Sequence, residues 1–169
     1  MTKPLRAREL LATLEAHHVD YIVIGGLAAV LHGSTLSTGD ADICPEPSGD
    51  NLNRLADALG ELKARIRVEG DPDGLEFSVD AASLARMAML NLTTVFGDFD
   101  ISFAPAGFSG YDELVTHAIE VSVGAVAVKV ASLADVIRSK KTADRPKDRL
   151  ALPILYALED EIAKREQQS

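Results

Sequence analysis

An apolar run, Tyr21-Ile22-Val23-Ile24, ends abruptly on Gly25-Gly26, and a small-residue segment, Leu27-Ala28-Ala29-Val30-Leu31, follows at once. A polar stretch from Gly33 to Gly39 then leads into Asp40-Ala41-Asp42-Ile43. This order constrains the fold to strand, glycine turn, short helix and second strand. In a strand, residues two apart share a face, so Asp40 and Asp42 project together while Ala41 and Ile43 point into a core. Adjacent carboxylates repel unless a cation lies between them. Backbone N–H groups at a glycine turn and helix start can hold phosphate oxygens. Paired acids can hold the magnesium ions that balance phosphate charge.

A third acid belongs to the same pattern. In Gly97-Asp98-Phe99-Asp100-Ile101-Ser102-Phe103 the apolar residues alternate with Asp98, Asp100 and Ser102, as in a half-buried strand. Placed beside Asp40 and Asp42, that strand adds one more carboxylate. Asp100 is favoured because apolar strand residues flank it; Asp98 follows Gly97 at the start of the strand.

The rest of the chain reads as one domain of 169 residues, with a core over about 20–130 and C-terminal helices over 132–165. No apolar run has membrane-spanning length, and the N-terminus is charged and unlike a signal-peptide core, so residence in the cytoplasm is expected. The single cysteine, Cys44, excludes an internal disulfide and reads as a buried thiol. A net charge of −9 argues against indiscriminate nucleic-acid binding. Residues 138–149 differ: six basic and two acidic side chains give a local +4, a patch for a triphosphate or an RNA end, or else a solvated helix end.

Periodicity predicts helices over 5–17, 26–32, from about 50 to 62, 81–89, 111–119, 132–142 and from Pro146 to about Arg165, with Pro153 bending the last or marking its start. Strands are predicted over 21–25, 40–45 and 91–103, the last broken near Gly97, with a hairpin or bent strand across Val121–Val130 and a turn over Gly70–Gly74. Ser48 or Asp50, and Ser132, are N-cap candidates. The mixed order implies an α/β (α+β) fold: a small twisted mixed β-sheet flanked by helices, with a helical C-terminus.

Ile24-Gly25-Gly26-Leu27-Ala28-Ala29, His32-Gly33-Ser34, Thr38-Gly39-Asp40-Ala41-Asp42-Ile43 and the later Asp100 strand together resemble the DNA polymerase β-like nucleotidyltransferase superfamily. More closely they resemble small bacterial nucleotidyltransferases such as the AbiE-type and MenT-type toxins. Ser139-Lys140-Lys141 and Arg145-Pro146-Lys147-Asp148 are similar to the family's later motifs. The resemblance implies a nucleotidyltransferase fold with its active site at one sheet edge. It implies Mg2+, as two ions with Mn2+ as a substitute, held by Asp40, Asp42 and Asp100, the last also helping to deprotonate an acceptor hydroxyl. Gly25, Gly26, Ser34 and Thr38 would position the phosphates of an NTP; for Ser34 and Thr38 loop capping is the alternative. Lys140 would neutralise triphosphate charge, chosen over Lys141 because adjacent helix residues diverge by about 100°. Asp148 would orient that lysine or contact base or acceptor. His32 reads as a packed or surface residue, and His17, His18 and His117 have no ligand spacing. The implied acceptor is the 3′ end of tRNA, with a cognate antitoxin protein as partner and no membrane. Alternatives are modification of an aminoglycoside or lincosamide, or a nucleotide-binding module without catalysis. One position departs from the pattern: Leu36 stands where many relatives carry arginine.

Overall fold

A computed structural model describes residues 3–169. Its elements are α1 (Ala7–Ala16), β1 (Tyr21–Ile24), α2 (Gly25–Leu31), β2 (Asp40–Pro45), α3 (Gly49–Glu61), β3 (Arg65–Val68), β4 (Asp71–Leu75) and α4 (Ala81–Ala85). Then come β5 (Met89–Thr94), β6 (Gly97–Ser102), α5 (Tyr111–Val115), β7 (Ile119–Val123), β8 (Val126–Val130), α6 (Leu133–Ala143) and α7 (Pro146–Gln167). All strands join one mixed sheet in the order β4-β3-β5-β6-β2-β1-β8-β7. The β2–β6 and β1–β8 pairs are parallel and the others antiparallel.

The alternation predicted for the two acid-bearing strands holds in space. Ala41 and Ile43 on β2, and Phe99 and Ile101 on β6, are fully buried. They share one core with Leu10, Leu11 and Leu14 of α1 and Leu52, Leu55 and Leu59 of α3. The helices start where their capping residues predict. Ser48 accepts the Asn51 N–H at α3, and Ser132 accepts the Asp135 N–H at α6. Cys44 is buried and free.

The helices expected over 81–89 and 111–119 stop at Ala85 and Val115, and Met89 and Ile119 open strands β5 and β7. Two further expectations change. Gly70–Gly74 is not a turn: the reversal lies between Val68 and Asp71, which pair, and Asp71–Leu75 is the edge strand β4. Pro72 is tolerated at an edge. Gly74 is needed there, because a Cβ would fall 2.4 Å from the Ile66 carbonyl oxygen at φ +68. The second change concerns the acid-bearing strands, which occupy the middle of the sheet and not its edge: three strands lie outside β6 (β5, β3 and β4) and three outside β2 (β1, β8 and β7). Helix α7 begins at Pro146, and Pro153 lies inside it without ending it. No helix is long and apolar enough to cross a membrane among the described residues.

Phe99 sits at the centre of this packing with no exposed surface. Phe99→Ala is expected to cost about 3–5 kcal/mol, read as a lower urea midpoint at unchanged slope.

Candidate functional site

Parallel pairing of β2 with β6 sets Asp40 opposite Asp98 and Asp42 opposite Asp100. Three of these acids, Asp40, Asp42 and Asp100, bring ligand oxygens within 4.8 Å of one another. Asp98 is drawn aside: its Oδ2 lies 3.4 Å from Arg67 Nη1. Burial, then repulsion from Asp40 and Asp100, raises the Asp42 carboxyl to about 7, against opposing pulls from Lys147 and Lys140. Burial also raises Asp100 to about 6; Arg67 opposes this, while a hydrogen bond with Asp40 adds to it. Crowded, half-buried oxygen ligands held at this separation suit a hard divalent cation, which relieves their repulsion.

The glycine turn abuts this cluster. Gly25 adopts φ +64, and a Cβ there would lie 2.6 Å from Asp42 Oδ2. A Cβ on Gly26 would lie 2.9 Å from Thr38 Oγ1. Thr38 itself donates to the Asp40 carbonyl at 2.9 Å and approaches Asp40 Oδ1 at 3.3 Å. Thus Gly25, Gly26 and Thr38 are brought to the acids. Ser34 instead accepts the Leu36 N–H at 3.1 Å, a loop-capping bond. His32 is packed, its Nε2 2.8 Å from the Ala131 carbonyl.

The cations come from the C-terminal helices. Lys140 Nζ stands 3.7 Å from Asp148 Oδ1 with little exposed surface, whereas Lys141 is exposed. Asp148 is fully buried in the first turn of α7 and accepts Arg145 Nε at 2.7 Å and the Arg145 N–H at 3.1 Å. Burial alone would raise its pKa, but the bonds and charge of Arg145, with Lys140, hold it below the usual carboxylate value. Arg145 is raised mainly by its bond to Asp148, and Asp42 and Asp40 add to the shift.

The basic window is therefore largely spent. Arg138 pairs with Glu113, Arg145 and Lys140 with Asp148, and Arg149 with Asp144. Lys141 and Lys147 make no ion pair among the described residues. Two contributors escape a reading of the sequence: Lys147, whose charge reaches Asp42, and Arg67, whose Nη2 donates to Asp100 Oδ1 at 2.7 Å. The only local signal for Arg67 is the alternation in Arg65-Ile66-Arg67-Val68.

No family model matches the chain, and no curated protein matches it in sequence. Solved structures do match in fold. Lincosamide antibiotic adenylyltransferase LnuA, with lincomycin bound, superposes with a TM-score of 0.61 at 16% identity, over 92% of this chain and 99% of that one. The Thermotoga maritima protein TM1012, described as a nucleotidyltransferase, gives 0.55 at 14% over 86% and 87%. ANT(2″)-Ia in complex with adenylyl-2″-tobramycin gives 0.54 at 15%, over 95% of each chain. The fold is that of nucleotidyltransferases.

Two outcomes are expected. Gly25→Ala forces a side chain into Asp42 at a left-handed φ, costing about 1–2 kcal/mol in urea unfolding and weakening Mn2+ binding. In metal-free protein, Asp42 and Asp100 keep protons that the unfolded chain releases between the ordinary 3.8 and about 7. The folded state then binds more protons, so stability falls as pH rises through that window and levels off above it. Melting with chelator at about pH 5 and about pH 8 measures the slope, which Asp42→Asn flattens.

Proposed function

We propose that this chain is a divalent-metal-dependent nucleotidyltransferase that moves an NMP from an NTP to an acceptor hydroxyl. The observation carrying this reading is the Asp40–Asp42–Asp100 cluster set directly against the glycine turn. Asp40, Asp42 and Asp100 would hold Mg2+, or Mn2+ in its place. The bound ions would supply charge stabilisation for the attacking and leaving oxygens of an in-line displacement. Gly25 and Gly26, with no side chains in the way, admit the triphosphate close to the acids. Lys140, oriented by buried Asp148, faces the phosphate charge, helped by Arg145 and Lys147. Asp100 accepts the proton of the acceptor hydroxyl as its oxygen bonds to the α-phosphorus; the bond from that phosphorus to the bridging oxygen breaks, and pyrophosphate leaves with the electron pair.

For the acceptor we favour a small hydroxyl-bearing molecule of the aminoglycoside or lincosamide kind. The acidic body suits a cationic acceptor, the basic window is mostly paired internally, and two fold neighbours carry antibiotics or their adenylylated product. The motif resemblance supports a second acceptor, the 3′ end of tRNA, with a cognate antitoxin as partner. Exposed Lys141 and Lys147 are the side chains that would meet its backbone. A module without catalysis has only Leu36 in its favour.

The test is transfer of α-labelled ATP, CTP, GTP and UTP, with Mg2+, onto lincomycin, tobramycin and total cellular RNA. Label on a drug, reduced about 100-fold or more in Asp42→Ala, is the expected result. Label confined to the tRNA band selects the second acceptor. Label on no acceptor, or label that survives Asp42→Ala, rejects metal-dependent transfer by this site.

A further inference from the structure

We propose that Arg67 is a positioning residue of this site, holding Asp100 in the orientation from which it meets the acceptor hydroxyl; the proposal rests on the nucleotidyltransferase reading. Arg67 belongs to β3, outside the motif-bearing strands, yet its guanidinium reaches both acids of β6. Nη2 lies 2.7 Å from Asp100 Oδ1 and Nη1 3.4 Å from Asp98 Oδ2. Nη1 also reaches the Leu92 carbonyl at 3.3 Å. The guanidinium is thus tied to two strands at once, β5 through its carbonyl and β6 through its acids.

Asp100 needs such a tether. Its neighbours in the cluster, Asp40 and Asp42, both carry carboxylates that repel it, and rotation about its side chain would let it swing away. The bond to Oδ1 restrains rotation of the Asp100 carboxylate while the group stays within the three-acid cluster. Asp98 then has a physical role without joining the cluster, because it holds the other arm of the fork. A planar guanidinium can span these partners; a lysine, with one ammonium, cannot.

Arg67 also borders a groove beside the site. It lines a groove of about 300 Å³ together with Thr93, Asp98, Glu69 and Asp71. Asp98 precedes Asp100 by two positions on the same face of β6, about 7 Å along the strand.

The experiment uses the full chain and the NTP and acceptor pair found in the labelling assay. Arg67→Gln and Arg67→Ala are expected to lower kcat about 10- to 100-fold, while KM for the NTP moves by less than about threefold. Arg67→Lys recovers part of the loss, and added guanidinium chloride at millimolar concentration restores part of the activity of Arg67→Ala. Unchanged kcat, or an Arg67→Ala enzyme insensitive to guanidinium, overturns the proposal. If the wild-type protein labels no acceptor, the nucleotidyltransferase reading fails by itself, and Mn2+ titration followed by electron paramagnetic resonance decides on Arg67. Loss of a positioning group weakens Mn2+ binding in Arg67→Gln by about tenfold. Unchanged or tighter binding, which removal of a nearby positive charge alone would give, overturns the positioning role.

Discussion

Mutual repulsion among Asp40, Asp42 and Asp100 is the constraint around which this molecule is built. The parallel register of β2 and β6 puts Asp42 directly opposite Asp100, and the pleat puts Asp40 on the same face. Nothing in either strand can relieve that crowding, because the alternate positions are occupied by the core residues Ala41, Ile43, Phe99 and Ile101. A one-residue slip would bury the acids and expose the core. Relief has to arrive from other elements, and it does so from two sides: Arg67 on β3, and Lys140, Arg145 and Lys147 from the C-terminal helices.

Asp148 organises the second group. It has no exposed surface, and it belongs to the first turn of α7, where a carboxylate also favours the helix dipole. Its two oxygens are shared between Arg145 and Lys140, so one residue caps α7, ties it to α6 through Lys140, and holds cations whose charge reaches the β-strand acids. A buried charge of this kind is expensive to leave unpaired. The pairing explains why a stretch that looks like an exposed basic patch in one dimension has few free charges in three.

Local patterns made part of this legible. The glycine turn, the alternation on β2 and β6, the caps Ser48 and Ser132 and the hairpin around Gly124 all follow from short-range rules of backbone conformation and burial. Sheet order does not, because it depends on which distant strands meet; hence the central position of the acids was not readable. Arg67 was hidden for the same reason. It lies 33 residues from its partner Asp100, on a four-residue strand whose neighbour β4 contains Pro72 and Gly74 and carries little strand propensity of its own. Lys147 lies within the Arg145–Asp148 motif, but only the packing of α7 shows that its charge reaches Asp42.

Charge balance gives the departure at Leu36 a physical context. The loop from Gly33 to Gly39 closes on itself through the Ser34–Leu36 bond, and Leu36, where the resembled motif would place an arginine, supplies no charge. Cations from elsewhere stand in its place. Asp40, Asp42, Asp98, Asp100 and Asp148 face Arg67, Lys140, Arg145 and Lys147, five acids to four bases when all are ionised. A triphosphate carrying two divalent cations is itself close to neutral. A near-balanced site can take up such a neutral complex with little change in net charge, provided that cation and phosphate bind together. A triphosphate arriving without its cations would instead add negative charge beside acids that already repel one another, which is the more costly state. On the proposed nucleotidyltransferase reading, the arrangement would favour the metal–nucleotide complex over the free nucleotide, without the arginine that the motif would have led one to expect.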